Sequence, residues 1–94
     1  MPFDGSGLDD VTKLLIEGRE RIERGGFCKG RFKSGTAFCT LGALSWGERP
    51  SPRQIGARRR LCRAIVDNDI IRWNDAPERT KQDILDAFDA AIAG

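Results

Sequence analysis

The sequence has no histidine and no tyrosine, and only three cysteines. Without histidine, the usual general base for a serine or cysteine nucleophile is missing, and so is the commonest metal ligand. Cys28, Cys39 and Cys62 are odd in number and widely spaced. They suit neither a disulfide framework nor a close-paired zinc site. Their simplest state is three reduced, partly buried thiols in a cytoplasm, with no bound metal and no cofactor. No apolar run approaches the ~20 residues of a membrane span. The opening MPFDGSGLDD is acidic and lacks an apolar h-region, so no secretory leader is expected. "GRFKSGTA" holds a lysine and a threonine, but not in the order of a phosphate-binding loop.

What is present fits a single domain spanning residues 1–94, with flexibility expected at 1–6. Charge is unevenly placed. Residues 1–18 carry one cation and four anions, 19–63 twelve and three, and 67–94 three and seven. The basic middle either neutralises against its acidic flanks within the fold or presents a face to an acidic partner.

Hydrophobic periodicity predicts a mainly α fold of about four helices, with a short β-hairpin or irregular loop near 27–38. Ser6 and Asp9 read as a capping box opening a helix over about 7–24, with Leu8, Val11, Leu14, Leu15 and Ile22 on one face. "KSGT" is a turn candidate, and "AFCTLGALSW" is apolar on nearly every side. That composition places a short helix or buried strand near 38–46 at the centre, with Gly42 admitting a close backbone. Ser51 and Pro52 start a helix over about 52–67. Its large apolar residues are Ile55, Leu61, Cys62, Ile65 and Val66. Arg53, Arg60 and Arg63 fall opposite them and Arg59 at the margin, whereas Arg58 falls inside the stripe. Either its stem packs and its head snorkels out, or a partner meets it inside; Asp67, Asp69 and Asp75 are on offer, with Asp75 or the Asn74 carbonyl favoured. Thr80 and Asp83 cap a closing helix.

Between these last two helices lies "RWNDAPERT", the densest local signal in the chain. Ala76 precedes Pro77 and is therefore expected to be extended. Asn74 or Asp75 suits an Asx-turn, and Ile70, Ile71 and Trp73 suit anchors that bury the approach over the preceding helix. The same residues also form the leading candidate binding site.

The pairing of "FCTLGAL" with "IIRWNDAPERTKQDILDAFDAAI" resembles a family of small uncharacterised bacterial and phage proteins. The matching residues are Cys39, Gly42, Ala43, Leu44, then Trp73, Asn74, Asp75, Arg79 and Thr80. Gly26-Phe27 after the first helix is also similar. This resemblance implies an architecture but no activity.

Three functions are carried forward. The first is a non-enzymatic binding or regulatory protein that contacts a protein or small ligand through Trp73, Asn74, Asp75, Arg79, Arg58 and Cys39. The second is nucleic-acid binding through Arg53, Arg59, Arg60 and Arg63. The third is cysteine-dependent catalysis at Cys39, placed near a helix start but lacking a histidine base. A monomer or small homo-oligomer, cytoplasmic and away from membranes, is expected.

Overall fold

The computed structural model describes residues 9–94. The expected Ser6 cap and the expected flexibility of residues 1–6 lie outside them. In chain order the elements are α1 (Asp10–Gly25), β1 (Lys33–Ser34), β2 (Ala37–Phe38), a 3-10 turn (Gly42–Leu44), α2 (Pro52–Ile65), α3 (Ile70–Asp75) and α4 (Lys81–Ala93).

Asp9 is itself the N-cap of α1, its carboxylate accepting from the Thr12 amide at 2.7 Å. The helix buries Leu14, Leu15 and Ile22. The expected hairpin is present: Lys33 pairs with Phe38 and Ser34 with Ala37 in antiparallel register. On its other side, Phe38 forms a parallel bridge with Phe27.

The apolar segment that follows is a 3-10 turn rather than a longer helix or a strand. Ala43 and Leu44 are fully buried there. Its free carbonyls are met from outside: Arg21 donates to Ala43 O at 2.6 Å, and Gln54 Nε2 to Leu44 O at 3.0 Å and Ser45 O at 2.9 Å. Gly42 does admit a close backbone. A Cβ there would stand 1.9 Å from the Phe32 carbonyl oxygen.

α2 starts at the expected Ser51 cap, which Gln54 completes as a capping box, and ends at Ile65, with Val66 in the left-handed region at φ 55°. Its buried face differs from the one expected. The helix packs on α1 and α4 through Gly56, Ala57, Leu61 and Ala64, a face centred more than a third of a turn from that of the large residues. Small residues contribute little to an apolar pattern, yet they let helix axes approach. A Cβ at Gly56 would come within 2.8 Å of Val11 Cγ2. Val66 is left 89% exposed.

That rotation exchanges the roles of two arginines. Arg60, expected in solvent, lies inside the three-helix junction. Its Nη1 donates to Thr12 Oγ1 at 2.8 Å, and its Nη2 donates to the α4 carbonyls of Ala91 and Ile92 at 2.5 and 3.1 Å. Its Nε is buried without a partner. Arg58, which the stripe left either paired inside or with its head in solvent, takes the second course: its Nη2 donates to the Asn68 carbonyl at 3.0 Å in an exposed position. Asp75 and Asn74 do not bond it.

α4 has the expected Thr80–Asp83 box, with Asp83 N to Thr80 Oγ1 at 3.2 Å and Thr80 N to Asp83 Oδ2 at 3.0 Å. Phe88 and Ile84 are fully buried in the shared core, beside Leu15, Ile22, Leu44 and Leu61. At the surface, Arg19 joins α1 to α4 through Asp89, Nε to Oδ1 at 2.6 Å, and also pairs with Glu23. Part of the basic middle is thus neutralised within the fold. Among the described residues no helix is long and apolar enough to cross a membrane.

Candidate functional site

The Trp-Asn-Asp segment is helical, not an open loop. Asp69 caps α3 by accepting from the Arg72 amide at 3.0 Å. One turn of helix then points three motif residues in three directions. The chain leaves through Ala76, which is extended as expected at φ −56° and ψ 137°.

Asn74 points inward and is 1% exposed. Its Oδ1 accepts from Thr40 N at 2.8 Å and from Thr40 Oγ1 at 2.7 Å. Its Nδ2 donates to Cys28 O at 3.2 Å and Asp75 Oδ1 at 2.9 Å. All four of its hydrogen-bonding positions are filled. The expected Asx-turn does not form, because tertiary partners take both ends of the amide. The same Asp75 oxygen accepts from the Gly30 amide at 3.0 Å. Lys29 Nζ adds bonds to Ala76 O and Pro77 O at 2.7 and 3.2 Å. Together these contacts hold α3 against the 28–30 and 39–41 segments.

Trp73 is half-buried. The Arg79 guanidinium stacks over its ring at 4.2 Å, while Arg79 Nε donates to Trp73 O at 2.8 Å. The pair closes the turn into α4 and serves structure by itself.

Between the 30–32 loop, Cys39–Leu41 and α3 lies a cleft of about 260 Å³. Its lining includes Cys39, Asn74 and Asp75, three of the residues singled out from the sequence. Trp73 and Arg79 are outside it. Arg58 lines a separate open hollow with Arg59 and Arg63. The cleft also contains Phe32 and Leu41, together with Ile70 and Ile71, of which Ile70 is the buried anchor expected and Ile71 is not. Phe32 is 44% and Ile71 48% exposed, so two large apolar side chains stand at its mouth. Their clue in the sequence was negative, since neither belongs to a helical stripe. Asp75 Oδ2 and the Arg31 guanidinium, also at the cleft, have no hydrogen-bond partner among the described residues.

Cys39 is 5% exposed, and its sulfur accepts from the Gly42 amide at 3.2 Å. Burial pushes the thiol up, against the smaller downward pull of the Gly42 and Leu41 amides. Burial likewise raises Cys28 and Cys62. Little thiolate is therefore present at Cys39 near neutral pH. Among the described residues, no cluster of histidine, cysteine or carboxylate side chains has metal-binding geometry.

Of the four arginines expected at a nucleic-acid surface, Arg53, Arg59 and Arg63 are exposed, and Arg60 is committed to the interior. The α2 sequence contains no acid, and those three exposed guanidiniums have no acidic partner among the described residues.

No curated protein and no solved structure matches the chain. A family model does match, over residues 8–94, from α1 through the cleft to the end of α4. The chain belongs to DUF6197, a family of unknown function.

Proposed function

We propose that the protein is a non-enzymatic binding module whose cleft takes one apolar side chain of a partner polypeptide. The observation that carries this reading is the pair of exposed walls, Phe32 and Ile71, around a hollow whose rear is buried and hydrogen-bonded through Asn74. Large apolar side chains gain about 1.5–3 kcal/mol each from full burial, and an occupant would recover part of that. The volume, about 260 Å³, falls below the ~300–1,000 Å³ of drug-sized ligand sites and suits a single side chain. Asp75 Oδ2 is the acceptor for the backbone N–H beside that side chain. Asn74 is saturated, so its role is to hold the rear wall. Trp73 and Arg79 support α3 from the other side, and Cys39 acts as an apolar wall. The expected setting is the cytoplasm of a bacterium or phage-infected cell, in keeping with three free thiols.

The test uses a blocked tripeptide, acetyl-Gly-Trp-Gly-amide, titrated into labelled protein and followed by amide shifts. A single anchored side chain corresponds to binding in the millimolar range. Saturable shifts at Gly30, Leu41 and Ile71, absent with acetyl-Gly-Gly-Gly-amide and lost in Ile71→Asp, are expected. Shifts spread over α2, or none at millimolar peptide, would refute the reading.

A second reading draws on one observation, the acid-free outer face of α2. Arg53, Arg59 and Arg63 there would contact phosphates of a nucleic acid without base selectivity. It requires affinity for a random duplex that falls steeply with salt and drops when Arg59 and Arg63 are both made glutamate. Salt-independent or undetectable binding at low salt removes it.

A further inference from the structure

The parallel bridge between Phe27 and Phe38 has a consequence for the residues that follow each of them. The bridge is made by Phe38 N to Gly26 O and Cys28 N to Phe38 O, both at 3.1 Å. Across such a bridge, paired residues share one face and their successors share the other. The successors are Cys28 and Cys39. Strands run ~5 Å apart at such a bridge; one residue beyond this isolated one, Cys28 and Cys39 need only stay near that spacing to meet the window of roughly 4.4–6.8 Å between Cα atoms that a disulfide spans. Two further facts agree. A charge on Cys28 pushes the Cys39 thiol further up, as a near neighbour's must, and Asp75 acts on both sulfurs. Cys28 is half-buried with its sulfur near the Arg31 carbonyl, at 3.4 Å, so an oxidant reaches it more readily than buried Cys39.

We propose that Cys28 and Cys39 are a reversible dithiol–disulfide pair, closed by a peroxide and opened by a thiol reductant. The Cys28 thiolate attacks one peroxide oxygen, the O–O bond breaks, and water leaves once protonated. Cys28 is then a sulfenic acid. Cys39 gives up its proton and its sulfur attacks the Cys28 sulfur, so the S–O bond breaks and a second water leaves. Two thiols and one hydrogen peroxide become one disulfide and two waters. The disulfide draws the Cys39 sulfur away from the Gly42 amide and replaces the thiol wall of the cleft. It also ties the start of the 29–32 loop to β2. Cys39 is shared with the cleft, but the test of the pair needs no occupant there.

Reduced, folded protein is treated with hydrogen peroxide, alkylated and digested with trypsin without reduction. Trypsin separates the three cysteines into Gly25–Lys29, Ser34–Arg53 and Leu61–Arg63. The expected product is Gly25–Lys29 linked to Ser34–Arg53 within one chain, at least ten-fold over any other pair, and released by dithiothreitol. Cys62→Ser should form it unchanged. Cys39→Ser should instead hold Cys28 as a sulfenic acid that a dimedone probe captures. Because burial raises both thiols, closure should speed up as pH rises. Linkage through Cys62, linkage only between chains, or Cys28 and Cys39 both still alkylated after peroxide treatment of protein with native circular dichroism would each overturn the proposal.

Discussion

The side-chain oxygen of Asn74 accepts both the amide and the hydroxyl of Thr40, at 2.8 and 2.7 Å, across 34 residues of sequence. Removing the Asn74 amide leaves a buried N–H, a hydroxyl and the Cys28 carbonyl short of partners. Stranding buried polar groups costs about 1–3 kcal/mol each before relaxation. Asn74→Ala should lose roughly 3 kcal/mol in urea denaturation, with α3 amides exchanging faster with solvent. A loss under about 1 kcal/mol would mean that water replaces the network.

Arg60 and Arg58 should behave oppositely. Arg60→Ala removes donors to Thr12, Ala91 and Ile92, and should cost roughly 2–3 kcal/mol. Its partner Asp9 is 70% exposed at 3.8 Å and adds little to that. Arg58→Ala loses one exposed bond to Asn68 O and should stay within about 0.5 kcal/mol. Equal losses at both positions would contradict the placement of α2.

Thr80→Ala should cost about 1 kcal/mol, since Thr80 Oγ1 caps the Asp83 amide. The denaturation midpoint reports it directly. Thr80→Ser should retain most of the stability.

Alanine normally gains about 1 kcal/mol over glycine inside a helix. Gly56→Ala should instead destabilise by about 1–2 kcal/mol, because the new Cβ meets Val11 Cγ2 at 2.8 Å. Adding Val11→Ala should restore part of the loss. A purely additive double mutant would place the two residues out of contact.

Two carboxyls make the fold sensitive to acid. The Thr12 amide holds Asp9 below the ordinary carboxylate value, and the Asp69 amide does the same for Asp67. A value lower in the folded than in the unfolded chain stabilises at pH above the unfolded value. That contribution disappears as pH falls through the folded value. Stability should therefore decline as pH falls through and below the ordinary carboxylate range. Asp9→Asn, which keeps a capping oxygen, should flatten the Asp9 part of the decline. An identical pH profile in the variant would show that Asp9 does not contribute.

Local chemistry was legible wherever it acts over three or four residues. The Ser51 cap, the Thr80–Asp83 box and the turn at Gly35 are short-range devices, and they stand where the pattern put them. Asp9 was assigned to support Ser6 and proves to cap α1 itself, because a carboxylate serves either position. The α2 face was misjudged for a physical reason. Large side chains dominate an apolar pattern, while this helix docks through Gly56, Ala57 and Ala64. Of the candidate cleft, Cys39, Asn74 and Asp75 were legible as a dense cluster. Phe32 and Ile71 were not, since what marks them is exposure in the folded chain. The bond from Asn74 to Thr40 joins distant segments and leaves no periodic trace.

The Arg19–Asp89 bridge spans 70 residues and accompanies the burial of Phe88 and Ile84 against α1. On a ribosome adding roughly 5–20 residues per second, α1 emerges several seconds before its partner helix. During that interval Leu14, Leu15 and Ile22 have no completed core to enter. The nascent chain should thus depend on a chaperone, or on the tunnel itself, until α4 arrives. Synonymous codon changes that slow translation between residues 26 and 80 should lower the soluble yield without altering the finished protein.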